Sequence, residues 1–409
     1  MGFISRSGEE PLHIYQRYEQ DGHAEPFLSI TLRNMPRVRR LDIHSCNLYL
    51  EDLLESLSVP VPVLEYLDIR NEGYQTGKDI ILPKVFGGQF PKLTSLSLHH
   101  LHTDLRGFNP PSLTWFSFAT STDISVRNLT SFFERCPLLE LISLHFYFTP
   151  EQPDLPPKKR VRLAALKELE LNRMASTSGL LDYLTLPKCV EMALDGEFTG
   201  EEFNKCGDRA ARIHPSSIGH LPVMRGITKA AVMRNSCVLS GPNGTLRFSF
   251  DGTRDNFDAE YFTLLSPISV LQIRELWVGQ DAFGSGRPLG QTPAGVHDAL
   301  WVLMEVENLN IVNYETVQIF SALGVTSDDD IILPKLRKLT IYVGSKDLDI
   351  QALTQCMSAR KEWSQLLGLT LVFKKEPGGD LVERVESLRE VVGELTYFVG
   401  YAPGLFDRW

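Results

Sequence analysis

A short apolar unit recurs along almost the whole chain, and it restricts the possible folds more than any other feature of the sequence. The unit reads Pro-x-Φ-x-x-Φ-x-Φ, where Φ is an apolar residue. The middle apolar residues of its copies are Leu41, Leu67, Leu96, Phe116, Ile142, Leu169, Met192, Leu276, Leu309, Leu339 and Leu369. Apart from the wider gap between positions 192 and 276, neighbouring copies are about 20 to 33 residues apart, which indicates an array of stacked units.

Each copy of the unit predicts a short strand. Leu41 and Ile43 point to one side of the chain and Asp42 to the other, as in a half-buried strand. Between strands the apolar period lengthens towards 3.6, as in residues 129–136, which predicts amphipathic helices. Since one strand and one helix cannot bury their apolar faces alone, we expect an α/β fold. The spacing predicts an irregular leucine-rich-repeat solenoid, curved, with parallel strands on its concave face and helices on its convex face.

The spacing of the copies also divides the chain. We expect an N-terminal cap or first repeat over 1–30, leucine-rich repeats over 31–195, degenerate repeats with a hairpin insertion over 196–270, further repeats over 271–375, and a C-terminal cap helix and tail over 376–409. The hairpin is predicted because Pro242-Asn243-Gly244 separates two alternating apolar runs, and residues 255–265 are predicted to form a helix. A domain boundary near residues 200–225 is the alternative interpretation.

The C-terminal cap helix is predicted from one stripe of apolar residues. Its members are Leu381, Val385, Leu388, Val392 and Leu395. Their spacing places them on one side of a helix, and the ends of a repeat array need a cap.

Size, charge and cysteine content limit the class of protein. The chain has 409 residues and a mass of 46.1 kDa, more than a single globular core usually serves. Its formal net charge of -10 argues against a general nucleic-acid or anionic-membrane binder. The six cysteines are scattered without a close pair, which is typical of a reducing compartment. We therefore expect a cytoplasmic protein that binds neither nucleic acid nor membrane.

One run of basic residues concerns the location of the protein in the cell. Residues 156–162 resemble a short nuclear-localisation signal, and their basic members are Lys158, Lys159, Arg160 and Arg162. The alternative is an ordinary solvated loop.

No residue pattern points to catalysis. His99, His100 and His102 are close in sequence, but neighbouring residues on a strand face opposite ways, and no cysteine or carboxylate lies at metal-ligand spacing. The glycine-rich segment 284–290 has the wrong spacing for a nucleotide loop. We therefore expect no enzyme activity, no cofactor and no metal site. An enzyme site hidden in segment 196–270 is the alternative.

The polar side of the strands is the candidate binding surface, because solenoids bind partners along their concave face. The candidate protein-binding residues are Arg40, Tyr66, Arg70, Trp115, His145, Glu168, Glu170, Glu191, Glu275 and Trp277. Along the chain this set changes from basic and aromatic to acidic, and exposed Tyr and Trp are common interface anchors. The alternative is that these residues only solvate the sheet.

Residues from about 11 to 373 resemble the leucine-rich region of fungal, especially mushroom-type, F-box proteins. The resemblance is carried by the irregular strand units, by the segment Gly8–Ile14, and by the junctions Leu82-Pro83-Lys84, Leu186-Pro187-Lys188 and Leu333-Pro334-Lys335. In that family an N-terminal F-box binds the Skp-type adaptor of an SCF ubiquitin ligase, while the repeats hold the substrate. The resemblance therefore implies a protein substrate, with a Skp-type adaptor and a cullin as further partners if an F-box lies upstream.

The sequence departs from this family at its N-terminus. Nothing before Pro11 can form an F-box, and none of the Leu-Pro junctions begins one. Either the chain is a fragment, or it is a family member without the adaptor contact. A stand-alone leucine-rich-repeat scaffold without a role in ubiquitin transfer is the alternative function.

Overall fold

The computed structural model describes most of the repeat region. The described residues are 8–17, 32–45, 50, 53–55, 57, 59–72, 80–82, 85–88, 90–120, 124–146, 160–172, 180–197, 221–233, 236–251, 272–279, 300–301, 303–312, 316–324, 331–343, 348–361 and 366–401. The chain divides into two compact units. The first comprises Met1–Glu197 and Cys206–Pro222, and the second comprises Phe198–Lys205 and Val223–Trp409. The division lies close to the alternative boundary near residues 200–225.

The strands of the first unit follow the repeat. In chain order they are β1 (Leu12–Arg17), β2 (Val38–Ser45), β3 (Tyr66–Asn71), β4 (Ile80–Ile81), β5 (Ser95–His99), β6 (Leu101–His102), β7 (Trp115–Thr120), β8 (Leu141–Phe146), β9 (Val161–Arg162), β10 (Glu168–Asn172), β11 (Leu184–Thr185) and β12 (Glu191–Glu197). The main sheet has the order β1-β2-β3-β5-β7-β8-β10-β12 and is parallel throughout. The two-residue strands pair separately, β4 with β6 and β9 with β11.

The apolar residues that mark the repeat form one row across this sheet. From β2 to β12 the paired residues are Leu41, Leu67, Leu96, Phe116, Ile142, Leu169 and Met192. Each of them is at most 2% exposed. The strand positions and the register predicted from the sequence are therefore confirmed. Because apolar residues alternate with polar ones, the opposite side of the sheet carries the polar residues of each strand.

The proline of the repeat, where it is present, occupies the second position of a tight turn before the strand. Before β3, the amide of Leu64 donates to the carbonyl of Val61 at 3.2 Å, and Pro62 follows Val61 directly. The same bond closes the turns that end at Leu93, Leu113, Leu139, Cys189 and Leu336. Proline suits this position because its ring fixes φ near the value that the turn requires. The prolines of the repeat, including those of the Leu-Pro-Lys junctions at 186–188 and 333–335, thus direct the chain into the sheet.

The second unit contains eight further strands. They are β13 (Lys229–Met233), β14 (Ser236–Gly241), β15 (Gly244–Asp251), β16 (Glu275–Val278), β17 (Asn308–Val312), β18 (Lys338–Val343), β19 (Gly368–Phe373) and β20 (Glu394–Val399). Their sheet order is β15-β14-β13-β16-β17-β18-β19-β20. The strands β13 and β16 to β20 are parallel, whereas β14 and β15 form an antiparallel hairpin around Pro242 and Asn243. The predicted α/β class and the predicted hairpin are therefore confirmed.

Helices are fewer than the repeat predicts in the described part of the chain. The α-helices are α1 (Val126–Glu134) in the first unit, and α2 (Thr316–Leu323), α3 (Ile350–Lys361) and α4 (Gly379–Glu386) in the second. Short 3-10 helices lie at Met35–Arg37, Val85–Gly88, Leu105–Gly107, Pro222–Met224 and Ser387–Glu390. The helix predicted at 255–265 lies outside the described residues. None of the described helices has the length and hydropathy that a bilayer crossing requires.

The start and the buried side of the helix α1 are explained by its sequence. Ser125 caps its first turn, because its Oγ accepts a hydrogen bond from the amide of Asn128 at 3.2 Å. Its buried side includes Leu129, Phe132 and Phe133, as the 3.6-residue period predicts. The ring of Phe132 lies 4.7 Å from that of Phe116. The helix therefore closes the apolar side of the sheet.

The C-terminal segment differs from the single cap helix that the sequence predicts. Val385 lies in α4 and Leu388 in the following 3-10 helix, and both are fully buried. Leu395, the last member of the stripe, lies in β20 and pairs with Leu369 of β19. The helix prediction was wrong beyond residue 390, since Val392 follows the end of the 3-10 helix. Residues 394–399 form a strand because they combine an alternating pattern with β-branched and aromatic side chains.

Candidate functional site

The polar side of the first unit's main sheet, here called the strand face, is built from three rows of side chains. The first row is Arg40, Tyr66, Ser95, Trp115, Leu141, Glu168 and Glu191. The second is Asp42, Asp68, Ser97, Ser117, Ser143, Glu170 and Ala193. The third begins with His44, Arg70, His99, Ala119, His145 and Asn172. Parallel pairing in register thus brings together side chains that are far apart in sequence.

A stack of three side chains occupies the first row. The guanidinium carbon of Arg40 lies 3.9 Å from the ring centroid of Tyr66, which is a cation–π contact. The rings of Tyr66 and Trp115 are nearly parallel, with an interplanar angle of 10° and centroids 6.5 Å apart. Ser95 lies between them on β5, and its small side chain lets the two rings approach each other. Burial, followed by the charge of Asp68, raises the pKa of Tyr66.

Two buried carboxylates lie beneath this stack, each paired with an arginine. Asp42 is 6% exposed and Asp68 is 2% exposed, and they are paired on neighbouring strands. Arg40 donates from Nε to Asp42 at 2.8 Å, and Arg70 contacts Asp68 through Nε and Nη2 at 2.9 to 3.1 Å. These hydrogen bonds raise the pKa of both arginines. The arginines offset the repulsion between two like charges on adjacent strands.

His44 extends this polar network towards the first strand. Its Nε2 is 3.7 Å from Asp68, and its Nδ1 is 3.5 Å from Glu72. The ring of Tyr15 meets that of His44 edge-on at 5.5 Å, and Tyr15 is 60% exposed. Tyr15 and Arg17 on β1 were not among the predicted site residues, because Pro11 directly precedes β1 and does not stand at the spacing of the repeat proline from the central apolar residue. The alternation over residues 12–17 is the signal that could have identified them.

A serine and histidine pair lies in the middle of the strand face. Ser117 Oγ and His99 Nε2 are 3.4 Å apart, while the neighbouring Ser97 Oγ is buried without a hydrogen-bond partner. Burial, followed by the charge of Arg70, lowers the pKa of His99 to about 4. His99 is therefore neutral at physiological pH and is a weak base for activating a hydroxyl.

The far end of the strand face is acidic. Glu168, Glu170 and Glu191 are all exposed. Glu170 accepts hydrogen bonds from Ser143 at 2.8 Å and from Asn172 at 3.0 Å. Glu168 and Glu191 form no ion pair with the described residues. The strand face therefore changes from an arginine and aromatic cluster to free carboxylates, as the sequence predicts.

The ten predicted binding residues are divided between the two units. Eight lie on the strand face, and among them His145 is half-buried on β8. Glu275 and Trp277 lie on β16 in the second unit. Trp277 is only 8% exposed and donates from Nε1 to Glu275 at 2.7 Å.

The burial of Trp277 has a clear cause. It packs with Ala231, Val238 and Val312, and its ring lies 5.8 Å from that of Tyr342. These apolar neighbours come from β13, β14, β17 and β18, which the hairpin and the parallel register bring together. Trp277 is therefore a packed side chain of the second unit rather than an exposed anchor.

The described cysteines are poorly suited to nucleophilic chemistry. Cys136, Cys189, Cys237 and Cys356 are buried free thiols, and burial raises the pKa of each to about 12. In the described ranges, no three His, Cys, Asp or Glu side chains are grouped as a metal site requires.

The basic run is described only in part. Arg160 and Arg162 are exposed, and Arg160 donates from Nε to the carbonyl of Asp182 at 2.9 Å. Lys158 and Lys159 lie outside the described residues, as do the glycine-rich segment 284–290 and most of segment 196–270.

Comparison with known proteins identified no match among family models or curated proteins.

Proposed function

We propose that the chain is a recognition module without enzyme activity, which binds a protein partner through the strand face. The observation that carries this proposal is the Arg40–Tyr66–Trp115 stack, which lies beside the exposed carboxylates Glu168 and Glu191 in one row. Arginine, tyrosine and tryptophan are the side chains that most often anchor protein interfaces. The ion pair with the buried Asp42 fixes the arginine of the stack before a partner arrives, which lowers the entropy cost of binding.

We further propose that the two units are parts of an irregular leucine-rich-repeat solenoid. The proposal is supported by parallel strands that recur every 20 to 33 residues and by the tight proline turn before most of them. In such arrays each repeat contacts mainly its neighbours, and the strands together make an extended binding surface.

The sequence resemblance suggests the biological role. We propose that the chain is the substrate-recognition part of an F-box-like protein linked to an SCF ubiquitin ligase. The Leu-Pro-Lys junctions that carry the resemblance form the turns before β12 and β18. This role predicts a protein substrate on the strand face, together with a Skp-type adaptor and a cullin in the same complex if an F-box lies upstream.

Affinity purification with quantitative mass spectrometry tests the binding surface. The full chain is compared with the triple variant Glu168→Lys/Glu170→Lys/Glu191→Lys. The control is Glu383→Lys/Glu390→Lys/Glu394→Lys, which changes the charge equally at exposed positions of the second unit. We expect the strand-face variant to lose partners that the control retains. Equal capture of every partner by both variants would contradict the proposed surface.

The same experiment tests the ligase role. If an F-box lies upstream of these residues in the protein, recovery of a Skp-type adaptor and a cullin with the protein that includes it is the expected result. A partner that depends on the strand face, recovered without adaptor or cullin, would instead favour the stand-alone scaffold.

A further inference from the structure

The aromatic stack on the strand face has one occupied end and one open end. Arg40 covers the ring of Tyr66 from the side of β2. At the opposite end, the outer ring face of Trp115 is directed towards β8, where its row neighbour is Leu141. Trp115 and Leu141 are only partly buried. Trp115 and Leu141 together therefore present apolar surface that is partly accessible to solvent.

Unpaired negative charge lies just beyond this open face. Glu168 follows Leu141 in the same row, and Glu191 follows Glu168. Because neighbouring strands are about 4.8 Å apart, the backbones of Trp115 and Glu168 are separated by about 10 Å. A cation placed on the ring of Trp115 would therefore lie within reach of the Glu168 side chain. Glu191 would add a second negative charge from the next strand.

The chain itself shows how such a position is filled at the other end of the stack. There, Arg40 lies on the ring of Tyr66 and donates to Asp42. The open end offers the same two elements, an aromatic face and a carboxylate, but no cation from the described residues lies on it. An apolar ligand would leave the carboxylates without a counter-charge, and a phosphate group would be repelled by them.

We infer that Trp115, Glu168 and Glu191 bind an arginine or lysine side chain from an extended segment of a protein partner. This inference rests on the proposed function, because it names the chemistry of the partner at the same surface. The cation stacks on the outer ring face of Trp115, and Glu168 and Glu191 accept its hydrogen bonds. Cation–π and ion-pair contacts of this kind lead us to expect an affinity loss of about tenfold when either element is removed.

A random peptide library displayed on phage is the probe, and the full chain is the bait. We expect the retained peptides to be enriched in arginine or lysine. A retained peptide is then synthesised with and without replacement of its basic residue by glutamine. Binding of both peptides is measured to the wild type, to Trp115→Leu and to Glu168→Gln. The control variant is Glu394→Gln, which changes an exposed carboxylate of the second unit.

The inference predicts a coupled result. The wild type should prefer the basic peptide by about tenfold, and each strand-face substitution should remove most of that preference. The control should keep it. Glu168 is exposed, so Glu168→Gln remains informative even if Trp115→Leu disturbs folding.

Two other outcomes separate this inference from the proposed function. Peptides that bind the strand face without a basic residue would overturn the cation site alone. The same conclusion would follow if Trp115→Leu and Glu168→Gln both kept the wild type's preference for the basic peptide. A library that yields no binder, or only binders indifferent to the triple lysine variant of the strand face, would count against both.

Discussion

Replacing Arg360 by methionine tests how the second unit is held together. Arg360 lies near the end of α3 and is 2% exposed. Its Nη1 donates to the carbonyls of Ile332 at 2.8 Å and Leu323 at 3.3 Å, and its Nη2 donates to the carbonyl of Leu333 at 2.8 Å. Leu333 has a positive φ of 49°, which is a strained conformation for leucine. Arg360 thus joins the last residue of α2 to the turn before β18.

The size of the effect follows from these contacts. A hydrogen bond from a charged donor contributes about 1.5 to 3 kcal/mol, and the substitution removes two short ones and one longer one. Burial lowers the pKa of Arg360, so part of this gain already offsets the cost of removing its charge from water. Methionine keeps the apolar volume but removes the guanidinium donor from the carbonyls of Leu323 and Ile332, and it leaves the carbonyl of Leu333 with its turn hydrogen bond from Leu336. We therefore expect a net destabilisation of about 3 kcal/mol.

Hydrogen exchange with mass spectrometry measures this effect locally. A loss of about 3 kcal/mol corresponds to exchange faster by about two orders of magnitude in α2, α3 and β18. The matched control is Arg337→Met, because Arg337 is exposed in the same turn region and should exchange like the wild type. Equal exchange in Arg360→Met and the control would refute the reasoning. It would show that the cost of burying the guanidinium cancels its hydrogen bonds.

Three further predictions concern single residues. The pKa of His99 is lowered to about 4 in the folded state, so the unfolded chain binds a proton more readily below pH 6.5. The first unit should therefore lose at most about 3 kcal/mol of stability as pH falls from 6.5 to 4. Urea unfolding of His99→Gln should show a weaker dependence of stability on pH. Asp68→Asn should destabilise the first unit by about 2 kcal/mol, because it weakens the charged contacts with Arg70 and leaves a half-buried cation unpaired; a melting temperature equal to that of the wild type would contradict this. Gly241→Ala should open the hairpin, because the added Cβ would lie 2.4 Å from the carbonyl oxygen of Gly226; unchanged hydrogen exchange in β14 and β15 would refute the expected clash.

Local patterns explain why so much of the fold could be predicted. The alternation at Leu67 and Ile69 defines a strand, and Pro62 defines the turn that leads into it. Both signals act over a few residues, so they can be recognised in the sequence without a structure. By contrast, the C-terminal stripe fits helical structure only up to Leu388, and it fails at Val392 and Leu395. An apolar residue such as Leu395 fits either a helical or a strand period, and its pairing with β19 decided in favour of the strand.

In the candidate site, too, some features follow from local sequence patterns and others only from the tertiary structure. The strand alternation alone places Arg40, Tyr66, Trp115 and Glu168 on the polar side of their strands, and the structure agrees. The stacking of Tyr66 on Trp115 depends on a small residue at Ser95 and on the register of three strands. That combination spans 50 positions of the chain, and no local pattern contains it.

The sequence by itself determined the repeat, the strand positions and the polar side of each strand, because periodicity and turn chemistry act between near neighbours. Only the tertiary structure decided which polar side chains are free. It buried Trp277 under apolar neighbours from four other strands, and it placed Arg360 over three carbonyls. Burial and hydrogen bonding depend on every element that surrounds a side chain, so they emerge only when distant segments pack together.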